Sequence, residues 1–341
     1  MNKFLSVILI FFGVSFLLLA AIVGINLVAD PMCYYRCPVV DIHRKTQNVY
    51  YQAAQTVRGN LDAEVIVLGS SRGETTSPLW IQKETGLKTI NLSKGGSGLM
   101  LKLSLLQIVN EFNLPLKRVI WIADYFEFSE VSTDVKVRLT PALNKYLPGE
   151  KDKDFSISEV RTALQRLIDH NSLEASLKQL SSNESFDATS RGSASQINYD
   201  LCASVDFKGK TSLKVLQKEV DMSYASFLGP LTSALSENYV ALFKKTVQSL
   251  SKQGVEVLVI IPPYHPKLMA RFKEAHPMNY EVHMAWVRDL FALNDGEKVK
   301  VVSYYNGIPN DTGGPEYWDD GAHATCKTMM LILKPELDAN Q

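Results

Sequence analysis

Two segments far apart in the chain carry residue types suited to nucleophilic chemistry. One is Gly69-Ser70-Ser71-Arg72, directly after the apolar run Val65-Ile66-Val67-Leu68; the other is Asp320-Gly321-Ala322-His323 near the end. A serine hydroxyl is a poor nucleophile at neutral pH, so it needs a base to take its proton and an acid to hold that base in one tautomer. A serine lifted by a tight turn, with an Asp and a His three residues apart, supplies all three. The implied chemistry is acyl transfer through a Ser-His-Asp triad. Asp320 has a second reading as a helix N-cap beside a surface histidine, because aspartate caps helices well.

These groups can meet only if regular elements carry them to one place. β-branched runs at 62–68 and 88–92 each end in a turn, the second at Ser93-Lys94-Gly95-Gly96-Ser97-Gly98. Residues 118–123 form a third strand running into Asp124-Tyr125-Phe126, 255–261 a fourth running into Pro262-Pro263-Tyr264-His265, and 299–303 a fifth. Helical patterns fall at 45–58, 99–112, 236–253 and 325–333. Strands alternating with helices predict an α/β chain with a mostly parallel sheet covered on both faces. In such sheets ligands bind beyond the carboxyl ends of the strands. Ser70, Ser71, the glycine turn, Asp124 and His265 all follow a strand directly and so share that edge. The turn at 93–98 also suggests a phosphate loop, but it lacks the terminal Gly-Lys-Ser/Thr and a complete dinucleotide-binding glycine spacing.

The order and spacing of Gly69-Ser70-Ser71-Arg72, Asn91 with the Gly95 to Gly98 turn, Asp124-Tyr125-Phe126 and Asp320-x-x-His323 resemble the SGNH (GDSL-like) hydrolase superfamily. The likeness is greater to its membrane-anchored branch, which acts on cell-envelope polysaccharides. The resemblance spans about 62–333 and implies a three-layer sandwich of SGNH/flavodoxin-like form. It implies Ser71 as nucleophile, with Ser70 where the family usually has Asp, His323 as general base and Asp320 as its orienting acid. It implies oxyanion donors in the Ser71 N–H and in Gly96 or Gly98. The family's third segment, Gly-x-Asn-Asp, supplies a further donor through its asparagine, whereas here the strand ends Ile122-Ala123-Asp124-Tyr125. A Tyr125 hydroxyl is the candidate replacement. The Gly-Ser-Ser form without that asparagine looks like proteins of O-acetylation or D-alanylation of envelope polymers, so transfer to a sugar hydroxyl stands beside hydrolysis. A catalytically silent glycan-binding or assembly module is the alternative. Arg72 either orients an anionic substrate or pairs with an acid such as Glu74, and Asp124 is a partner for Arg72 across the sheet edge. His265 either lines the pocket or has no role.

Composition bounds the partners. Thirty-six basic residues balance 36 acidic ones, which gives no electrostatic case for nucleic acid. Residues 4–29 contain no charge and are long enough to cross the roughly 30 Å hydrocarbon layer. An uncleaved anchor is favoured over a signal peptide, whose apolar stretch is usually about 7 to 15 residues, with cleavage after Ala29 the other possibility. Lys3 on one side and Arg36, Arg44 and Lys45 on the other leave the charge rule nearly silent on orientation. The family resemblance implies a bacterial inner-membrane protein, single-pass, with its large domain on the extracytoplasmic side. It also implies an envelope glycan or acyl donor as partner, a membrane acyltransferase as a possible companion, and no cofactor.

Cys33, Cys37, Cys202 and Cys326 permit three disulfide connectivities in an oxidising compartment or stand as plain buried thiols, Cys33 with Cys37 being the easiest pair. Their spacing does not suit zinc. His43, His170, His276 and His283 show no ligand spacing either. The chain divides into the anchor (1–29), an irregular stalk with a leading helix (30–58), and the main domain (59–341). The main domain is interrupted by a charged, Ser-rich insertion at about 130–235 that holds a helix over 157–180 and a polar stretch at 181–195.

Overall fold

A computed structural model describes residues 3–129, 135–147, 157–181, 189 and 212–338. From the amino end, α1 (Lys3–Ala29) and α2 (Val49–Gly59) precede β1 (Val65–Leu68), α3 (Pro78–Thr85), β2 (Thr89–Asn91), α4 (Leu99–Glu111) and β3 (Arg118–Ile122). Then come α5 (Val135–Arg138), α6 (Pro141–Asn144), α7 (Ile157–Ile168), α8 (His170–Ser181), α9 (Leu213–Thr232) and α10 (Glu237–Lys252). The chain closes with β4 (Glu256–Ile261), α11 (Pro266–Ala275), α12 (Pro277–Phe291), β5 (Val299–Ser303) and α13 (Cys326–Asp338).

The five strands form one sheet in the order β2-β1-β3-β4-β5, and every neighbouring pair is parallel. Parallel neighbours cannot be joined by hairpins, so the chain crosses back through helices, which cover both faces. This is why β1 and β3 are wholly buried runs rather than alternating ones. The order 2-1-3-4-5 reverses direction between β1 and β3, and the crevice at their carboxyl ends is where doubly wound sheets bind ligands.

Several sequence expectations are sharpened. The single helix expected over 157–180 is two, because the Asp169 side chain accepts the Ser172 N–H (3.2 Å) and starts α8 afresh. The helices α3, α11 and α12, which the sequence reading did not mark, each begin at a proline that sets the first turn. The stalk region is irregular but packed. Asp30 accepts the N–H groups of Tyr34 (2.9 Å), Tyr35 (3.0 Å) and Arg36 (2.7 Å), Cys33 and Cys37 are disulfide-bonded, and both join Val40 in the core. Cys326 is disulfide-bonded as well, and Cys202 lies outside the described residues. Most of the polar stretch at 181–195 also lies outside them. Ala142, Leu143, Leu147, Leu216 and Val220, from the stretch expected to be an insertion, are part of the core.

His283 on α12 has a packing role. Its ring stacks on Tyr125 at 3.4 Å, Nε2 donates to the Leu231 carbonyl (2.8 Å), and Nδ1 accepts from the Tyr305 hydroxyl. Burial lowers its pKa to about 4. The unfolded chain therefore binds a proton here before the native one does, and stability falls as pH drops from about 6.5 towards 4. We expect a loss of about 3 kcal/mol over that window, absent from His283→Asn, measured by urea denaturation at stepped pH. An unchanged acid limb in the variant would refute this.

Candidate active site

The turn after β1 is shaped by close approach. A Cβ at Gly69 would lie 2.8 Å from Ser93 Oγ and 2.9 Å from the Gly73 backbone, so only glycine fits there. The chain then enters a short 3₁₀ turn, Ser71–Gly73, capped by Ser70, whose hydroxyl accepts the Arg72 N–H (3.3 Å) and donates to Asp124 Oδ2. Ser70 is thereby buried and committed to structure. Ser71 opens the turn, so its N–H has no intrahelical partner. Its hydroxyl, half-buried, faces the loop that precedes α13.

That loop carries the other two groups. Ser71 Oγ lies 2.8 Å from His323 Nε2, and His323 Nδ1 lies 2.6 Å from Asp320 Oδ2. Asp320 Oδ1 accepts the N–H groups of Ala322 (2.6 Å) and His323 (2.8 Å), so the carboxylate closes the turn and orients the ring. The reading of Asp320 as a helix N-cap is corrected: residues 321–325 are not helical and α13 starts only at Cys326. Burial opposes its ionisation, but the hydrogen bond from the His323 ring, the charge attraction to that ring and the backbone N–H groups outweigh it and hold the carboxyl below its ordinary pKa. An ionised Asp320 can only accept, so Nδ1 carries the imidazole proton and leaves Nε2 to accept from Ser71. The side chains of His323 and Asp320 are 26% and 27% exposed, open enough for a substrate to reach them.

Arg72 ties four loops together and does not face substrate. It is 3% exposed, pairs with Asp124 (Nη1 to Oδ1, 2.6 Å), donates from Nε to the Ala322 carbonyl (3.1 Å) and from Nη2 to the Pro263 carbonyl, and stacks over Tyr264 at 3.8 Å. Of the two partners expected for it, the structure selects Asp124 over Glu74. Asp124 is fully buried, so a substrate-contacting role is corrected for both residues. Asp124 is held in turn by Glu127, which accepts the Asp124 N–H (2.9 Å) and pairs with buried Lys102.

Three further expectations change. The Tyr125 hydroxyl donates to the Ser233 carbonyl (3.0 Å) beneath α9, so it does not replace the missing asparagine. His265 is 7% exposed and caps α11, with Nδ1 accepting the Lys267 N–H (3.1 Å) and Nε2 at 3.0 Å from the Gly313 carbonyl. Its reach is used by structure rather than by a pocket. Among the turn glycines, Gly95 lies against Ser71, where a Cβ would be 3.8 Å from Ser71 Cβ, and Gly96 lies against Tyr50 instead. Gly96 turns the loop at a φ of +68° and gives its carbonyl to the Tyr50 hydroxyl (3.1 Å), while Gly98 opens α4.

Sequence reasoning singles out none of Lys94, Phe227 and Ser223, and gives Glu74 only as a partner for Arg72. The Gly95 N–H donates to Glu74 Oε1 (2.8 Å), so a carboxylate occupies the N–H of the glycine that lies against Ser71. Burial pushes the Lys94 ammonium down to about 8, against the attraction of Glu74. From α9, Phe227 meets the His323 ring edge-on at 6.1 Å, and Ser223 Oγ accepts the Gly321 N–H (3.2 Å). An i, i+4 pair on one helix was the available signal for Phe227 and Ser223, but nothing local says what that face covers. Among the described residues, no group of three or more His, Cys, Asp or Glu is placed to hold a metal ion.

No protein-family model matches the chain, and no curated protein sequence matches it. Among solved structures it is similar to one from Streptococcus pneumonia described as a "putative platelet activating factor". The identity is 12%, covering 83% of this chain and 91% of that one, with a TM-score of 0.38. A likeness that slight carries no argument about chemistry.

Proposed function

We propose that the chain is a membrane-anchored serine esterase or O-acyltransferase of the SGNH (GDSL-like) kind. Its substrate class is acyl esters of a cell-envelope glycan, and its domain faces outward from the cytoplasmic membrane. The observation that carries this reading is the continuous line of hydrogen bonds from Ser71 Oγ through His323 to Asp320. Ser71 Oγ attacks the acyl carbonyl carbon as its proton passes to Nε2. The tetrahedral oxyanion collapses, the C–O bond to the leaving alcohol breaks, and that alcohol takes the proton from Nε2. Water or a sugar hydroxyl then gives its own proton to Nε2, attacks the acyl-serine, and releases Ser71 with its proton restored. The Ser71 N–H is one oxyanion donor. The Gly95 N–H is the second, once Glu74 moves off it, a kind of contact worth about 3 kcal/mol in catalysis. An acyl donor or a membrane acyltransferase would supply the acyl group where the outcome is transfer.

The Glu74 carboxylate on the Gly95 N–H favours a second reading, a silent module that binds glycan in the same cleft. One experiment separates the two. The full chain in detergent is treated with a fluorophosphonate and weighed intact beside Ser71→Ala. One adduct on the first and none on the second is the expected result. Equal labelling of both, or none on either, would overturn the enzyme reading, and the latter would favour the module.

A further inference from the structure

The hairpin α7–α8 is built inside out for a protein surface in water. Among the described residues its buried positions are the polar Ser172 and Ser176: Ser176 is 0% exposed and donates from Oγ to Asn26 Oδ1 (2.8 Å), and Asn26 Nδ2 donates to the Leu167 carbonyl (2.9 Å). Gln179 Nε2 adds a bond to the Ala29 carbonyl (3.0 Å). Five large apolar side chains point outward instead, while Leu167 and Leu173 are half-buried. Val160, Leu164 and Ile168 recur at i, i+4 and i+8 on α7 and are 47%, 59% and 55% exposed, and Leu177 and Leu180 on α8 are 50% and 58% exposed. A helix that packs polar groups inward and leucines outward loses free energy in water and gains it against hydrocarbon.

The place of the hairpin says what covers this face. Both helices pack on the end of α1, whose apolar run of 26 residues is about 39 Å long at about 1.5 Å per residue, against a hydrocarbon layer of about 30 Å. With the run entering the layer at its amino end, about six residues, 24–29, emerge at headgroup depth. Asn26 and Ala29, the residues that hold the hairpin, are among them. The exposed leucines therefore continue the lipid-facing surface of α1 at the acyl boundary, where interfacial helices bury about 5–10 Å of their depth. Residues 157–181 carry three basic and three acidic side chains, so attraction to anionic lipid is not the driving term.

We infer that α7–α8 is an interfacial hairpin that lies in the bilayer leaflet from which α1 emerges, seating the domain on the membrane instead of leaving it tethered at a distance. This rests on the anchor reading of α1. The test uses the full chain in phosphatidylcholine nanodiscs, with an environment-sensitive fluorophore on Leu164→Cys, on Leu177→Cys and, as the anchor reference, on Phe12→Cys. Nitroxide lipids labelled near the headgroup or deep in the acyl chain serve as quenchers, with iodide as the aqueous one. The expected result is blue-shifted emission at 164 and 177, quenched by the headgroup-proximal nitroxide and little by iodide, with 12 quenched by the deep one. Quenching at 12 beside water-like, iodide-quenched emission at 164 and 177 would overturn the hairpin and spare the anchor. Blue-shifted emission that no lipid quenches would mean protein covers the face, and would overturn it too. Failure at 12 would remove the anchor, and the inference with it.

Discussion

Exchanging Asp320 for asparagine should slow acylation of Ser71 about 10⁴-fold while leaving the fold in place. The carboxylate accepts the His323 Nδ1–H through Oδ2, which is what leaves Nε2 free to take the Ser71 proton. An amide nitrogen in that position donates to Nδ1, the imidazole proton moves to Nε2, and the serine faces a donor. The amide oxygen can still accept from the Ala322 and His323 N–H groups, so the turn survives at a cost of about 1 kcal/mol. The rate of fluorophosphonate labelling reads the first effect and thermal melting the second. Labelling within tenfold of the parent would show that the carboxylate only closes the turn. The acid limb has a defined sign: because the Asp320 pKa is depressed in the folded chain, its contribution is present above the unfolded carboxyl's pKa and is lost as pH falls through the lower folded value.

Removing Arg72 should cost more stability than any other single change near the site. In Arg72→Ala the Asp124 carboxylate, fully buried, keeps the Ser70 hydroxyl and loses its cation, while the Ala322 and Pro263 carbonyls lose their donors. Breaking one partner out of a buried ion pair costs about 3–5 kcal/mol, about 4–7 °C in melting temperature for a chain of this size. Arg72→Lys should recover little, because one ammonium cannot span three acceptors held in a planar fork. Arg72→Met with Asp124→Asn should recover most of the stability, since it removes both charges together. It should not recover labelling, because Arg72 also ties the Ser71 turn to the Ala322 carbonyl in the Asp320–His323 loop. A melting temperature for Arg72→Ala within about 2 °C of the parent would show that the pair does not hold these loops.

What was legible in the sequence is what local forces write. Buried strands need runs such as Val65-Ile66-Val67-Leu68, and the turn after β1 needs a glycine where a Cβ would strike backbone, so sheet and turn could be read from residues in order. An apolar run of 26 residues declares a possible span in the same way. Helices that open on a proline, such as α11 and α12, are hard to read from the sequence because proline reads first as a breaker.

The fates of individual polar side chains were decided elsewhere. Arg72 meets Ala322 across 250 positions and Pro263 across 191, and Tyr125 meets Ser233 across 108, so whether each faces substrate or core depends on which loops the finished sheet brings to one edge. The same holds for Gly95, brought against Ser71 by a backbone path that only the packed turn defines, and for the Glu74 carboxylate that occupies its N–H. Sequence by itself determined the strands, their shared edge and the three residue types of the triad, because hydrophobic periodicity and turn chemistry act over a few residues. Tertiary structure alone decided which neighbours of that triad touch it and which are spent on holding the loops, because a buried charge or hydroxyl takes whichever partner the long-range packing leaves within hydrogen-bond reach.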